Sequence, residues 1–247
     1  IRLPFFVLCN CRGQILMNLI LDDGLSIEVV RTKRKKTASI KVIDGSVQVI
    51  VPDQLSNARV QEIIQTRTSW IRRKLREQSQ AVTPKPKEYV SGESFTYLGR
   101  NYRLKVLSGG NREAKLFGGY LEVGVSKNSK KSDIRNALAD WYERHALERL
   151  VEKTMRYAGI MSVSPNSVSV RGYKSRWGSC SSNGDISYNW RIIIAPHQIV
   201  DYLVVHELCH LEHPNHSPAY WKTVERVIPD YLVCRKWLRE QGATLAI

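Results

Sequence analysis

The chain has 247 residues, 43% of them hydrophobic, and a formal net charge of +15. That length supports one large or two modest domains with a packed core. Its five cysteines, Cys9, Cys11, Cys180, Cys209 and Cys234, are odd in number and form no C-x-x-C pair, which argues against a disulfide framework or a cysteine-rich zinc site.

Taken in chain order, the first apolar runs, Leu3–Cys9 and Ile15–Leu21, are broken by Asn10-Cys11-Arg12-Gly13-Gln14. Neither is long enough to span a bilayer, and no small-residue cleavage site follows, so a signal peptide is not expected. Residues 1–21 are read as an N-terminal extension, with Met17 as the natural start and residues 1–16 outside the fold. From residue 22 to 82 the pattern predicts a small basic module. Ile27/Val29 and Ile40/Val42 alternate around Arg31-Thr32-Lys33-Arg34-Lys35-Lys36, and Asp44-Gly45 turns into Val47/Val49/Val51, suggesting an antiparallel sheet. A helix follows, capped near Ser56 or Asn57, with Val60, Ile63, Ile64, Trp70, Ile71 and Leu75 at helical spacing.

Residues 83–91, opening Thr83-Pro84-Lys85-Pro86-Lys87, read as a linker, and residues 92–247 as the main domain. There Phe95/Tyr97, Tyr102/Leu104/Val106 and Tyr120/Leu121/Val123/Val125 predict short strands, and a helix is expected over about Ser132–Ala158. No internal repeat or low-complexity tract stands out. The charge is uneven: residues 1–88 carry 16 Lys/Arg against 8 Asp/Glu, residues 89–159 carry 13 against 8, and residues 160–247 carry 9 against 7. Arg31–Lys36 and Arg72-Arg73-Lys74-Arg76 therefore offer a patch for nucleic acid, nucleotides or an acidic protein, weighed against a simple solvated surface. No nucleic-acid-binding motif or glycine-rich phosphate loop is present.

Asn183-Gly184 is a turn signal between Val168/Val170 and the alternation Ile186/Tyr188/Trp190/Ile192/Ile194, which predicts a β-hairpin leading into the next helix. That helix, opened by Pro196 and carrying Ile199, Tyr202, Leu203, Val205 and Leu208, contains His206-Glu207-Leu208-Cys209-His210. Residues four apart on a helix share a face, so His206 and His210 are placed to hold one Zn²⁺, and Glu207 to take the proton of a water activated there. From composition, chance placement of H-E-x-x-H has an expectation of only about 1%.

A catalytic zinc wants a third protein ligand and an open fourth position. The candidates are His213, His216, Glu225 and Asp230. Pro214 ends the helix at or just before His213, Pro214-Asn215 would turn the chain back, and Ser217-Pro218 reads as the start of the following helix, so His216 is preferred. Arg176 and Ser179, upstream in Ser175-Arg176-Trp177-Gly178-Ser179-Cys180-Ser181, are candidate oxyanion or substrate contacts, whereas Trp177 and Trp190 read as sheet-packing aromatics.

The block Ser175–Cys180, the run His206–His210, Asn215-His216-Ser217 and Tyr220-Trp221 together resemble the YgjP-like family of predicted metal-dependent hydrolases, relatives of the zincin metallopeptidases. The likeness extends from about residue 22 onward and is most specific over 171–221. It implies an α+β fold in which a small N-terminal β/α module precedes a compact zincin-like domain, with zinc at His206, His210 and His216 and Glu207 as base. The family commonly has phenylalanine where this chain has Tyr220.

The function expected is therefore that of a cytoplasmic zinc-dependent hydrolase, foremost a metallopeptidase acting on peptide or protein substrates. A nucleotide phosphohydrolase and a nucleic-acid-associated protein with a structural zinc are the alternatives. Glu207 speaks against the last, because a structural site needs no base and is usually closed by four protein ligands.

Overall fold

Two sheets built to one plan, each followed by a helix, organise residues 15–161 of this protein in the computed structural model, which describes residues 5–9, 15–21, 23–34, 37–43, 45–80, 86–110, 112–126 and 128–247. The chain divides into two compact units, 1–82 and 83–247.

The first unit holds β1 (Phe5–Cys9), β2 (Ile15–Ile20), β3 (Ser26–Thr32), β4 (Ser39–Ile43), β5 (Ser46–Pro52) and α1 (Asn57–Gln80), with sheet order β1-β2-β3-β5-β4. The expected antiparallel sheet is instead mixed: β3 and β5 run parallel, pairing Ile27 with Val47 and Val29 with Val49. The reason lies in burial. Val47, Val49, Ile50 and Val51 are all buried, so β5 takes the centre, while β4, with no fully buried residue, forms the edge.

The assignment of residues 1–21 to an extension is also corrected. Strand β2 pairs with β3 along its length, and Met17, Leu19 and Leu21 are core residues, Leu19 with no exposed surface. Met17, taken as a start, sits mid-strand. The Ile15–Leu21 run is too short for a membrane but the right length for a strand, and its buried residues recur with the strand period of two. Residues 1–4 and 10–14 lie outside the described residues.

The basic segment is not a uniform patch. Arg31 donates to the carbonyls of Asp53 (2.8 Å) and Leu55 (2.6 Å) and to Asn57 Oδ1 (2.6 Å), tying the end of β5 to the first residue of α1. Arg72 pairs with Asp23 and Lys74 with Glu77, each at 2.7 Å. Lys33 and Arg34 are exposed, and Lys35 and Lys36 lie outside the described residues.

The second unit opens with β6 (Ser94–Tyr97), β7 (Arg100–Ser108), β8 (Ala114–Phe117), β9 (Tyr120–Val125) and α2 (Lys131–Met161), in sheet order β6-β7-β9-β8 with β7 parallel to β9. This is the topology of β2-β3-β5-β4-α1. From β4 and β8 onward the equivalence holds at a constant offset: Val47/Leu121, Val49/Val123, Val51/Val125, Val60/Ile134 and Ile64/Leu138 are all buried, and Lys41↔Gln48 in one hairpin matches Lys115↔Glu122 in the other.

The rest of the unit comprises β10 (Ser167–Arg171), β11 (Gly178–Cys180), β12 (Asp185–Asn189), a 3₁₀ turn (Trp190–Ile194), α3 (His197–Cys209), α4 (Pro218–Val227), α5 (Tyr231–Gln241) and a last 3₁₀ turn (Gly242–Thr244). The Asn183-Gly184 hairpin joins β11 to β12, not β10 to β12; β10 lies parallel to β12 on its other side. The strand expected through Ile194 ends at Asn189, whose side chain accepts from Arg191 N and starts the 3₁₀ turn. Ile192, Ile193 and Ile194 are consecutively buried, as a tight helical turn inside the core allows.

This turn sets where α3 begins. Leu98 N donates to Ile193 O (2.7 Å) and Gly99 N to Ile194 O (3.3 Å). At Gly99, with φ +78°, a Cβ would stand 2.9 Å from Pro196 Cα, so glycine is needed where the β6–β7 turn seats Pro196, the cap of α3. Lys153 and Asp201 join α2 to α3 at 2.6 Å, both nearly buried, and Thr154 and Tyr188 share a buried hydroxyl contact at 3.0 Å.

If residues 15–21 belong to the core, Leu19→Ala destabilises the protein by about 2–5 kcal/mol, while Ile20→Ala, on a 39% exposed side chain, costs less than half as much. Chemical denaturation of the full chain checks this; equal, small effects would place the segment outside the fold.

Candidate metal centre

Helix α3 is buried on nearly every side: Ile199, Val200, Tyr202, Leu203, Val204, Val205 and Leu208 are all core residues. The polar groups His206, Glu207 and His210 gather at its C-terminal end. The α-helix stops at Cys209, four residues ahead of the limit that Pro214 suggests, and the chain tightens into 3₁₀ bonds from His210 N to Glu207 O and Leu211 N to Leu208 O. The following loop returns and brings His216 back over the helix. Ser217 then caps α4 by accepting from Tyr220 N, with Pro218 in the first turn, the arrangement the residue types imply.

The ligand atoms of His206, His210 and His216 all lie within 4.8 Å of one another. His206 Nε2 and His216 Nε2 are 3.3 Å apart, and two nitrogens bound to one tetrahedral zinc at about 2.0–2.1 Å would stand about 3.3–3.4 Å apart. His210 Nδ1 lies 3.1 Å from His213 O. Because a carbonyl only accepts, Nδ1 carries the proton and the Nε2 lone pair is left for a metal. Burial, reinforced by the neighbouring histidines, lowers the His206 pKa to about 3, so this imidazole is neutral, the form that binds a metal. His206 Nδ1 is buried without a partner. The donor set fits zinc.

Tyr220, fully buried, lies under all three imidazoles, with ring centroids 5.5, 4.9 and 4.7 Å from His206, His210 and His216. Its hydroxyl donates to His206 O at 2.8 Å, a bond a phenylalanine would lack. Trp221 stacks on His216 at 5.5 Å, Tyr231 stacks on Trp221 at 5.3 Å, and the Arg235 guanidinium sits 4.6 Å from the Trp221 ring centre. The third histidine is thus held by an aromatic column from α4 and α5. Of these residues only Tyr220 and Trp221 carried a sequence signal, as neighbours in the motif block.

Glu207 is only 4% exposed. Burial raises its pKa to about 8, opposed by the charge of Arg176. It lies against β11: a Cβ at residue 178 would fall 2.7 Å from Glu207 Cδ and 2.8 Å from Cγ. Gly178, which sequence reasoning did not single out for a role, is the space into which the carboxylate fits. Cys180, two residues along and on the same face, has its thiol pKa raised by burial and then by the Glu207 charge.

A cleft of about 390 Å³ is lined by Gly178–Ser182, His206, Glu207, His210, Pro214 and His216. The two proposed oxyanion contacts fare differently from one another. The Ser179 hydroxyl lies 3.2 Å from Tyr173 OH, on the face of β11 opposite Gly178 and Cys180. Arg176 is exposed, rests its guanidinium 5.4 Å from the Tyr173 ring centre, and lines a neighbouring pocket instead of the cleft. Ser179 thus lines the cleft with the three histidines, and Arg176 does not. His213 contributes its carbonyl to His210 and its ring to Thr223 Oγ1 (3.2 Å); Glu225 and Asp230 are exposed and outside the cluster.

A family model described as "YgjP-like, metallopeptidase domain" matches residues 36–241. Among solved structures, the chain is similar to one titled "Crystal structure of the metallopeptidase zymogen of Pyrococcus abyssi abylysin", at 22% identity and TM-score 0.34, covering 37% of this chain and 95% of that one. No curated protein matches. No helix among the described residues is long and apolar enough to cross a membrane.

The geometry makes His213 and His216 separable. His216→Ala is expected to abolish stoichiometric zinc uptake, as are His206→Ala and His210→Ala. His213→Ala keeps it, because the group His213 supplies is a main-chain carbonyl. Zinc titration calorimetry with elemental analysis decides this; loss of zinc in His213→Ala alone would reassign the third ligand.

Proposed function

The chain belongs to the YgjP-like metallopeptidase family, and we propose that it is a zinc-dependent peptidase in which His206, His210 and His216 hold the metal and Glu207 is the general base. The observation carrying this reading is the convergence of three imidazole nitrogens beside a buried carboxylate, at a cleft bordered by an edge strand. When bound, zinc would supply Lewis-acid activation of a water and polarisation of the scissile carbonyl.

The protein's own groups account for the remaining steps. Among the described residues strand β11 pairs only with β12, and its other edge would align an extended peptide by backbone hydrogen bonds. Glu207, confined by Gly178, accepts the proton of the attacking water and returns it to the leaving amine. The Glu207 pKa raised by burial suits this two-way transfer, and a cation held beside it would draw that pKa down toward neutrality. Tyr220 and Trp221 keep the imidazoles in register, and His213 O keeps the His210 tautomer. A structural zinc is disfavoured, since such a site is usually closed by four protein ligands and three histidines would hold the metal here.

Two substitutions separate metal from base. Glu207→Gln should retain zinc and the native circular dichroism yet lose about 10²–10⁴-fold in turnover of a peptide library. Gly178→Ala should also retain zinc, but displace the carboxylate and lower kcat by about 10²-fold. Full activity of Glu207→Gln would remove it as base. Hydrolysis of nucleoside triphosphates with no peptide cleavage would overturn the peptidase reading.

A further inference from the structure

Beside the metal centre lies a second pocket, of about 610 Å³, between the 172–177 loop, Asn189, Arg191 and the C-terminal segment from Gly242 to Ala246. Lys174, Arg176 and Arg191 line it, and Arg171 ends the strand just before it. In the 171–191 stretch the sole acidic residue is Asp185, which is engaged by Asn166, Ser167 and Ser181. Among the described residues, none of these four cations forms an ion pair. Cations elsewhere in the same unit do: Lys105 and Lys115 with Glu122, Lys153 with Asp201, and Arg149 with Glu152. Residues 160–247 have the smallest basic excess of the chain, yet three of their nine Lys/Arg line one concavity. Such repulsion is a standing cost unless an anion is to be met there.

The pocket is also held rigid. Asn189, 4% exposed, donates its amide to the carbonyls of Tyr173 (3.0 Å) and Arg176 (3.3 Å), and its backbone N–H to Trp177 O (2.6 Å). Trp177 packs so closely on Gly242 that a Cβ there would meet its ring at 3.1 Å. The Arg191 guanidinium is 4.3 Å from the Trp190 ring centre and that of Arg176 5.4 Å from Tyr173. A guanidinium resting on an aromatic face keeps its N–H fork at the edge, where a planar carboxylate is bound bidentately. The backbone that carries Arg176 continues through Trp177 into Gly178, against which Glu207 lies, so the two sites adjoin.

We propose that this pocket is a specificity subsite that binds a carboxylate of the substrate peptide through Arg176, Arg191 and Lys174. The inference rests on the peptidase reading. The carboxylate is an Asp or Glu side chain near the scissile bond or the free C-terminus of a short substrate.

The test measures binding to the zinc-loaded, full-length Glu207→Gln protein by fluorescence anisotropy. Three peptides on one scaffold are compared: Gln with an amidated C-terminus, Glu with an amidated C-terminus, and Gln with a free C-terminus. Either carboxylate is expected to bind about tenfold more tightly than the neutral peptide, with the preference shrinking as salt rises. The arm that gains affinity identifies the source. In an added Arg176→Glu or Arg191→Glu background, checked for native circular dichroism, the preference should reverse toward a Lys-containing peptide. Binding of all peptides with equal affinity, or a preference unchanged by both reversals, overturns the subsite and leaves the peptidase reading intact. Binding of a nucleoside triphosphate with no affinity for any peptide overturns both.

Discussion

Crowding a carboxylate and three imidazoles together at the end of an apolar helix is unfavourable unless a cation joins them, and the second unit is built to maintain that placement. Helix α3 is located at its start by Gly99 against Pro196 and along its length by Lys153–Asp201. At its end, the Tyr220 hydroxyl holds the His206 carbonyl. Side chains crowded this closely would otherwise relax apart. What resists is packing: Glu207 is enclosed at Gly178, and His216 is backed by Trp221, Tyr231 and Arg235. Preorganisation of this kind is what a metal and a reacting water exploit, because the groups do not have to move into position.

The paired sheets give the fold its second theme. Both units use a hairpin, a parallel neighbour, a returning hairpin and a helix. What persists between them is position and burial, not residue type. Gln48 bonds Glu28 in one sheet and Glu122 bonds Lys105 in the other, the same cross-strand place with different chemistry. In the second unit the sheet has been put to use, since its β6–β7 turn seats the start of α3. A sequence scan for similar letters passes over such a repeat, because a pleated strand needs only an apolar residue at alternate positions.

The departures from expectation share a cause. The Ile15–Leu21 run was weighed as a membrane or leader segment, whereas its period-two burial appears only once β3 lies beside it. The expected hairpin partner of β12 was the apolar Val168/Val170 segment; the actual partner is the small, weakly hydrophobic Gly178–Cys180. A side chain at position 178 would collide with Glu207, which occupies that space. Arg31, read as one charge in a basic run, spends its donors on carbonyls at the start of α1. In each case the deciding partner is distant along the chain.

The sequence alone determined the local chemistry: His206, Glu207 and His210 follow from helical periodicity, and the Pro214 break with Ser217-Pro218 favours His216, because these rules act over a single turn. The membership of the motif block in a metallopeptidase family was legible for the same reason, since its letters fall in short contiguous runs. Only the tertiary structure decided that Gly178 encloses the carboxylate, that Tyr220 lies under all three histidines, and that Lys174, Arg176 and Arg191 face a common pocket. Those facts depend on long-range packing, where strand order and the path of the returning loop bring together residues that no local periodicity relates.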